Sequence, residues 1–280
     1  MVELPEAHVM AKQLSELIVG RTIVEAEANR SPHGFAFYSR PPEMYGALLE
    51  GQVIASVNAG TGYTCGGNVE IVCGDRLLAV NAPIRYHADG VKLPSKHQLR
   101  LRLDDGASLT CTVQMYGGLL VVEKDSPELP SYMNLSKCPS PYDEGFDYDY
   151  FLGLDEGKGN LSAKAFLATE QRIPGLGNGV LQDILWNCFV HPRRRLDTLS
   201  DENMRALFES LKATMFAMRE QGGRDTDKDV FGQPGRYVTK LSNKTKGQPC
   251  QRCGGPIVRE AFLGGNIYFC PTCQPFEKRK

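Results

Sequence analysis

At 280 residues, with 41% hydrophobic and 23% charged side chains, the chain has the composition of a globular protein long enough for two cores. It has no apolar run of about 18 residues and no basic-then-apolar start, which excludes a bilayer-spanning helix and a secretory leader and predicts a cytoplasmic protein without membrane partners. The net charge of −1 hides an asymmetry: residues 1–150 carry 12 Lys and Arg against 19 Asp and Glu, whereas residues 151–280 carry 20 against 14, and such a basic C-terminal half points to phosphate.

In chain order, residues 4–19 place Leu4, Ala7, Met10, Ala11, Leu14, Leu17 and Ile18 on one helical face, with Pro5 suited to the first turn and Gly20 to the stop. From Thr22 to Lys124 short β-type runs follow: TIVEAEAN, GFAFYSR, VIASVNAG, NVEIVCG, RLLAVNAP, LRLRLDDGASLTCTV and GGLLVVEK. Strands without intervening helices predict an antiparallel sandwich or barrel, with a hairpin across Asp104–Ala107 and the first helix packed at an edge. Residues 125–149 are rich in Pro and acids and read as connecting chain. Helical patterns resume at KAFLATEQRI, GVLQDILWNCF and SDENMRALFESLKATMFAMREQGG; in the last, Ser200 is the expected N-cap, Met204, Leu207, Leu211, Met215 and Met218 form a core stripe, and Gly222–Gly223 end it. The resulting division is an α+β multidomain chain: a β domain over 1–130, a linker over 131–149, a helical domain over 150–245 and a C-terminal finger over 246–280.

The finger carries the strongest chemical signal. Of nine cysteines, Cys65, Cys73, Cys111, Cys138 and Cys188 are scattered and suit reduced thiols, but Cys250-x2-Cys253-x16-Cys270-x2-Cys273 pairs two CxxC turns across a predicted β-hairpin. Four thiolates close a tetrahedron around one structural zinc ion and leave no open position for catalysis. Upstream, RIPGLGNGVLQDILW is a Gly-rich turn feeding a helix, which presents backbone N–H groups and the positive dipole end to an anion, with Asn178 as an added donor. HPRRR at 191–195 follows within twenty residues; alone it is an ordinary solvated run, but ahead of a basic zinc hairpin the combination favours a sugar-phosphate backbone. The five histidines show no ligand spacing and read as ordinary.

The start ELPE, the segment GLGNGVLQDILW followed by HP, the helix end EQGG and the four-Cys hairpin occur in this order and at similar spacing in the formamidopyrimidine-DNA glycosylase/endonuclease VIII family, which the chain resembles over its whole length. The resemblance implies a β-sandwich, a helix-two-turns-helix domain and a zinc finger, with damaged duplex DNA held by a monomer associated with the bacterial nucleoid. It implies excision of oxidised bases from flipped nucleotides and cleavage at the abasic site. The family's N-terminal proline attacks C1′ of the nucleotide and the adjoining glutamate handles protons. Glu3 and Glu6 match the family's acids, and Asn178, after Gly177, matches its phosphate-binding asparagine; Lys164 matches a basic residue ahead of that turn.

Three positions depart from the pattern. Val2 stands in place of the proline, SVNAGTGYTCGG has no lysine where the family has one for phosphate, and Gly265, followed by Asn266, stands where the family has an arginine five residues before the third cysteine. Arg85, Tyr86, Met115 and Tyr116 are the candidates for the side chains that the family wedges into the gap left by a flipped base.

Two readings follow. In one, Met1 is removed, as is usual before a small residue, and the primary amine of Val2 forms the imine with Glu3 as acid and base, or Glu3 or Glu6 activates water. In the other, the protein binds damaged or abasic DNA without catalysis. A more distant third is a zinc protein acting on RNA, with ELPE a coincidence. For Glu3 and Glu6 the plain alternative is dipole stabilisation of the first helical turn.

Overall fold

The computed structural model describes residues 2–60, 67–124, 138–157 and 160–276. Residues 61–66, in the lysine-free stretch, and 125–137, in the linker region, lie outside them. By internal contacts the chain forms two units: Met1–Cys138 with Gly222–Arg236, and Pro139–Gln221 with Tyr237–Lys280. The segment after the long helix, expected from sequence in the helical domain, thus packs with the first unit.

In the first unit, α1 (Leu4–Ile18) starts with Pro in its first turn and buries Leu4, Ala7, Met10, Ala11, Leu14 and Ile18, the face that the spacing predicts. It packs on β3 (Ile54–Gly60), an edge strand, and on β4 (Asn68–Cys73). One sheet has the order β2-β9-β5-β4-β3, with β2 Ala36–Tyr38, β5 Arg76–Val80 and β9 Gly117–Glu123; the other runs β1-β7-β8-β6, with β1 Ile23–Ala28, β6 Ile84–His87, β7 Leu99–Leu103 and β8 Ser108–Cys111. Ile23, Leu101, Leu103 and Leu109 on one sheet join Ile54, Ile71, Leu78, Val80, Leu119 and Val121 on the other in a single core. Each fully buried branched chain contributes roughly 1.5–3 kcal/mol.

The predicted hairpin joins β7 to β8, turning at Gly106 with φ of 85°. Two features differ from the sequence expectation. β2 pairs in parallel with β9, Ala36 opposite Gly117 and Tyr38 opposite Leu119, so the sandwich is not wholly antiparallel. The stretch APIRYH, outside the expected strands, contains β6, and a short α2 (Tyr45–Leu49) buries Tyr45 and Leu49 completely.

In the second unit, α3 (Tyr148–Gly153) begins inside the expected linker: the Asp147 carboxylate accepts the Tyr150 N–H as an N-cap, and Phe146, Phe151, Phe166 and Phe208 form an aromatic core. α4 (Ala163–Ala168) and α5 (Val180–Asn187) are separated by two tight turns, the first with Glu170 and Gln171 at φ of 57° and 51°, the second with Gly175 at 78°. α6 (Asp201–Glu220) is capped by Ser200 as predicted and buries Leu207, Leu211, Met215 and Met218. The hairpin β10 (Val258–Phe262) and β11 (Gly265–Phe269) closes the chain, and Trp186 packs with Ile257, Tyr268, Cys250, Cys270 and Cys273.

Candidate functional site

The first-unit site is built on the N-terminal turn of α1. Glu3 occupies the N-cap with extended backbone, and its carbonyl accepts the Ala7 N–H at 3.0 Å while its side chain makes no cap bond. That side chain reaches Arg224 instead, with Oε2 at 3.5 Å from Nη1. Glu6 is gripped by the same guanidinium: Nε donates to Oε1 and Nη2 to Oε2, both at 2.9 Å, and the Arg224 backbone N–H adds a bond to Oε1 at 3.2 Å. Asp227 completes the cluster at 3.2 Å from Nη2. The acids therefore do more than favour a helix dipole; they form a charged cage around one arginine.

Burial governs this cage. The side chains of Arg224 and Glu6 are 4% and 5% exposed, and burial pushes the Glu6 carboxyl above its usual range, opposed by Arg224 and reinforced by Asp227 and Glu3. Burial also works against the Arg224 charge, but three carboxylates outweigh it and hold the guanidinium protonated.

Val2 and Glu6 line a cavity of about 370 Å³ together with Arg85, Gln114, Asp227 and Lys228. That volume lies within the range of small-molecule sites, about 300–1,000 Å³. Asn81 fixes the backbone beneath it, its Nδ2 donating to the carbonyls of Val2 and Gly67. A Cβ at Gly67 would sit 2.7 Å from Leu4 Cα, so only glycine fits against this turn. The expected wedge residues divide. Arg85 donates from Nη1 to the carbonyls of Ile84 and Lys228, and Tyr86 meets Phe231 edge-on, so both hold the 222–236 segment; Met115 and Tyr116 are exposed.

The second unit gathers the remaining predicted positions. Asn178 Nδ2 donates to the Asn266 carbonyl at 2.9 Å, Gln182 Nε2 donates to the same oxygen at 3.2 Å, and Arg259 Nε donates to Asn266 Oδ1. Gly177 is buried and accepts the Leu181 N–H, starting α5 beside exposed Asn178. Lys164 is 3% exposed; its Nζ bonds the Phe262 carbonyl and would lie 3.4 Å from a Cβ on Gly265. Burial and the neighbouring Arg193 lower the Lys164 pKa. The HPRRR run is committed: Arg193 bonds Glu260 and the Ala261 carbonyl, with its guanidinium 4.1 Å from the centre of the Phe262 ring, Arg194 bonds the Thr198 carbonyl and Arg195 pairs with Asp197.

Cys250, Cys253, Cys270 and Cys273 bring their sulfurs within 4.8 Å of one another, with Cys250–Cys273 at 3.8 Å and Cys253–Cys270 at 3.3 Å. A tetrahedron with metal–sulfur bonds of about 2.3 Å has edges of about 3.8 Å, so the set fits zinc. Burial opposes the Cys250 thiolate, but the backbone N–H groups of Arg252 and Cys253 bring its pKa down to about 6. These four thiols hold one structural zinc ion.

Fold and site thus define a class: a β-sandwich carrying a buried acid cluster on its first helix, a helical unit and a C-terminal four-cysteine zinc finger. Residues 247–275 match the model of a zinc finger found in FPG and IleRS. The formamidopyrimidine-DNA glycosylase of Mycobacteroides abscessus is 30% identical over 289 residues, 98% of each protein, and that of Nocardioides sp. is 29% identical over 291 residues, all of this chain and 96% of the relative. Two solved structures superpose at a TM-score of 0.81: MutM (FPG) of Thermus thermophilus, 23% identical over 99% of this chain and all of that one, and Lactococcus lactis Fpg with abasic-site DNA, 22% identical over 98% and 100%. The chain belongs to the formamidopyrimidine-DNA glycosylase family.

Arg224 and Asp227, the centre and the third acid of the cage, have no motif that marks them in the sequence. The only signal near them is EQGG, which marks a helix end and not the ion pair beyond it.

Proposed function

We propose that the protein is a base-excision DNA glycosylase and abasic-site lyase that acts as a cytoplasmic, nucleoid-associated monomer on oxidised or otherwise damaged bases in duplex DNA. The observation that carries this reading is that Val2 and Glu6 line one cavity and Glu3 shares Arg224 with Glu6, in a chain whose relatives are named formamidopyrimidine-DNA glycosylases. With Met1 removed, the Val2 amine attacks C1′, the bond from C1′ to the base breaks, and the base leaves with a proton. Opening of the C1′–O4′ bond then gives the imine, with Glu3 moving protons between the amine and the sugar oxygen. A carboxylate cluster favours this course because positive charge develops on the sugar.

Strand contact falls to the second unit. Asn178 and the α5 start supply neutral donors, Lys164 supplies charge past the bare Gly265 backbone, and Asn266 holds the hairpin against Asn178. The zinc stabilises that hairpin and takes no part in the chemistry. The similar Lactococcus lactis Fpg is a complex with abasic-site DNA, which supports a DNA partner here.

The test is borohydride trapping on abasic-site duplex with mass mapping of the adduct. An adduct on Val2 is expected. Salt-sensitive binding with neither adduct nor base release would instead make the protein a non-catalytic binder of damaged or abasic DNA, the reading favoured by valine in place of proline.

A further inference from the structure

We propose that Arg224 is a positioning residue of the excision site: its guanidinium sets the carboxylates of Glu3 and Glu6 in fixed relation to each other and to the cavity lined by Val2. This role rests on the excision reading above and extends it to a residue that the family resemblance does not assign.

The geometry uses the whole fork. Nε and Nη2 take the two oxygens of Glu6, Nη1 faces Glu3, and Nη2 also faces Asp227. A lysine, as a point charge on a flexible stem, cannot serve three carboxylates from one fixed plane. The backbone is shaped to deliver this side chain. Gly222 and Gly223 have φ of 74° and 91°, and a Cβ on Gly235 would sit 2.1 Å from the Gly223 carbonyl carbon and oxygen, so the two ends of the segment touch at a neck that admits only glycine. Gln13 holds the middle of the segment, donating to Asp229 Oδ2 at 2.9 Å and accepting the Val230 N–H.

Charge explains why the site needs such a residue. Glu3 and Glu6, both largely out of solvent, repel each other and the partly exposed Asp227 and would take up protons; one guanidinium holds the three together, with acids still outnumbering it in the cluster. Carboxylates close to the reacting carbon suit an iminium or a cationic sugar, so Arg224 orders the acids while Arg85 and Lys228 balance the rest of the cavity lining. The cation beside these acids, Arg224, comes from the 222–236 segment.

The test compares wild-type protein with Arg224→Gln, Arg224→Lys and Arg224→Ala, reading the single-turnover rate of borohydride-trappable adduct on abasic-site duplex and, separately, affinity for duplex carrying a tetrahydrofuran abasic analogue. Arg224→Gln is expected to slow adduct formation about a hundredfold, the effect of a displaced reacting group, while affinity is kept. Arg224→Lys, which keeps charge and length, recovers little of that rate, and guanidinium ion added to Arg224→Ala recovers more. Combined with Glu3→Gln, Arg224→Gln adds no further loss, since Arg224 acts on the step through Glu3. Wild-type rate in Arg224→Gln, full recovery in Arg224→Lys, or losses that multiply with Glu3→Gln would overturn the role. A wild-type protein that gives neither adduct nor base release would overturn the excision reading itself and this role with it.

Discussion

Glu6 shows how a residue that sequence places correctly can still be understood only through its partner. Its position in the first turn of α1 follows from ELPE, but the group that binds it lies 218 residues away, and no local pattern links them. Removing Glu6 takes the bidentate partner from buried Arg224 but leaves Glu3 and Asp227 beside it, so Glu6→Ala is expected to lower stability in urea unfolding by about 3 kcal/mol, the lower end for breaking a buried pair; a loss below about 1 kcal/mol would mean the cage is not held by this pair. His191 gives a pH-dependent prediction. Its sequence setting is ordinary, yet its Nδ1 accepts the Arg193 N–H at 3.0 Å and its ring lies between Phe269 and Phe276. Burial, with help from Arg193 and against Glu260, lowers its pKa from 6.5 to about 4. The unfolded chain then binds the proton first, so stability is full above pH 6.5 and falls as pH drops towards about 4. Melting temperature measured across that window with zinc kept in excess should fall for wild type and flatten for His191→Phe.

At the scale of elements, sequence makes legible whatever a local period or cap decides. α1, α5, α6 with its Ser200 cap, the β7–β8 hairpin and the CxxC pairs all have their cause within a few residues. α3 is hidden because its acids and the prolines before it resemble a linker, while its stability comes from Phe166 and Phe208 further along the chain. The parallel β2–β9 pair and the return of 222–236 to the first unit are long-range choices that alternation cannot encode. The neck of that segment can be tested alone. A methyl group at Gly235 would overlap the Gly223 backbone and force it aside, so Gly235→Ala is expected to cost about 1–3 kcal/mol and to slow adduct formation with Arg224 still present. Unchanged melting and unchanged adduct rate would show that the neck tolerates a side chain.

On the proposed function, the molecule separates chemistry from grip. The acid cage and its cavity belong to the first unit, whereas the zinc hairpin, Asn178 and Lys164 belong to the second, whose basic excess sits in residues 237–280, 8 Lys and Arg against 2 Asp and Glu. Grip on a polyanion through released counterions makes affinity fall linearly on a log–log plot against salt, by about 0.9 for each phosphate neutralised. The two donors that meet Asn266 and Gly265 differ in charge, which lets salt tell them apart. Asn178→Ala removes a neutral hydrogen bond and should weaken duplex binding at every salt concentration with the slope unchanged. Lys164→Met removes a cation and should reduce the slope by about 1. Lys164 also bonds the Phe262 carbonyl, so the same variant loosens the hairpin; measuring bound zinc separates the two effects, because a stapling role alone would lower metal retention and leave the slope as it was. A slope that falls with zinc still at one per chain is the expected result, and it would assign the second unit's charge to the strand it holds.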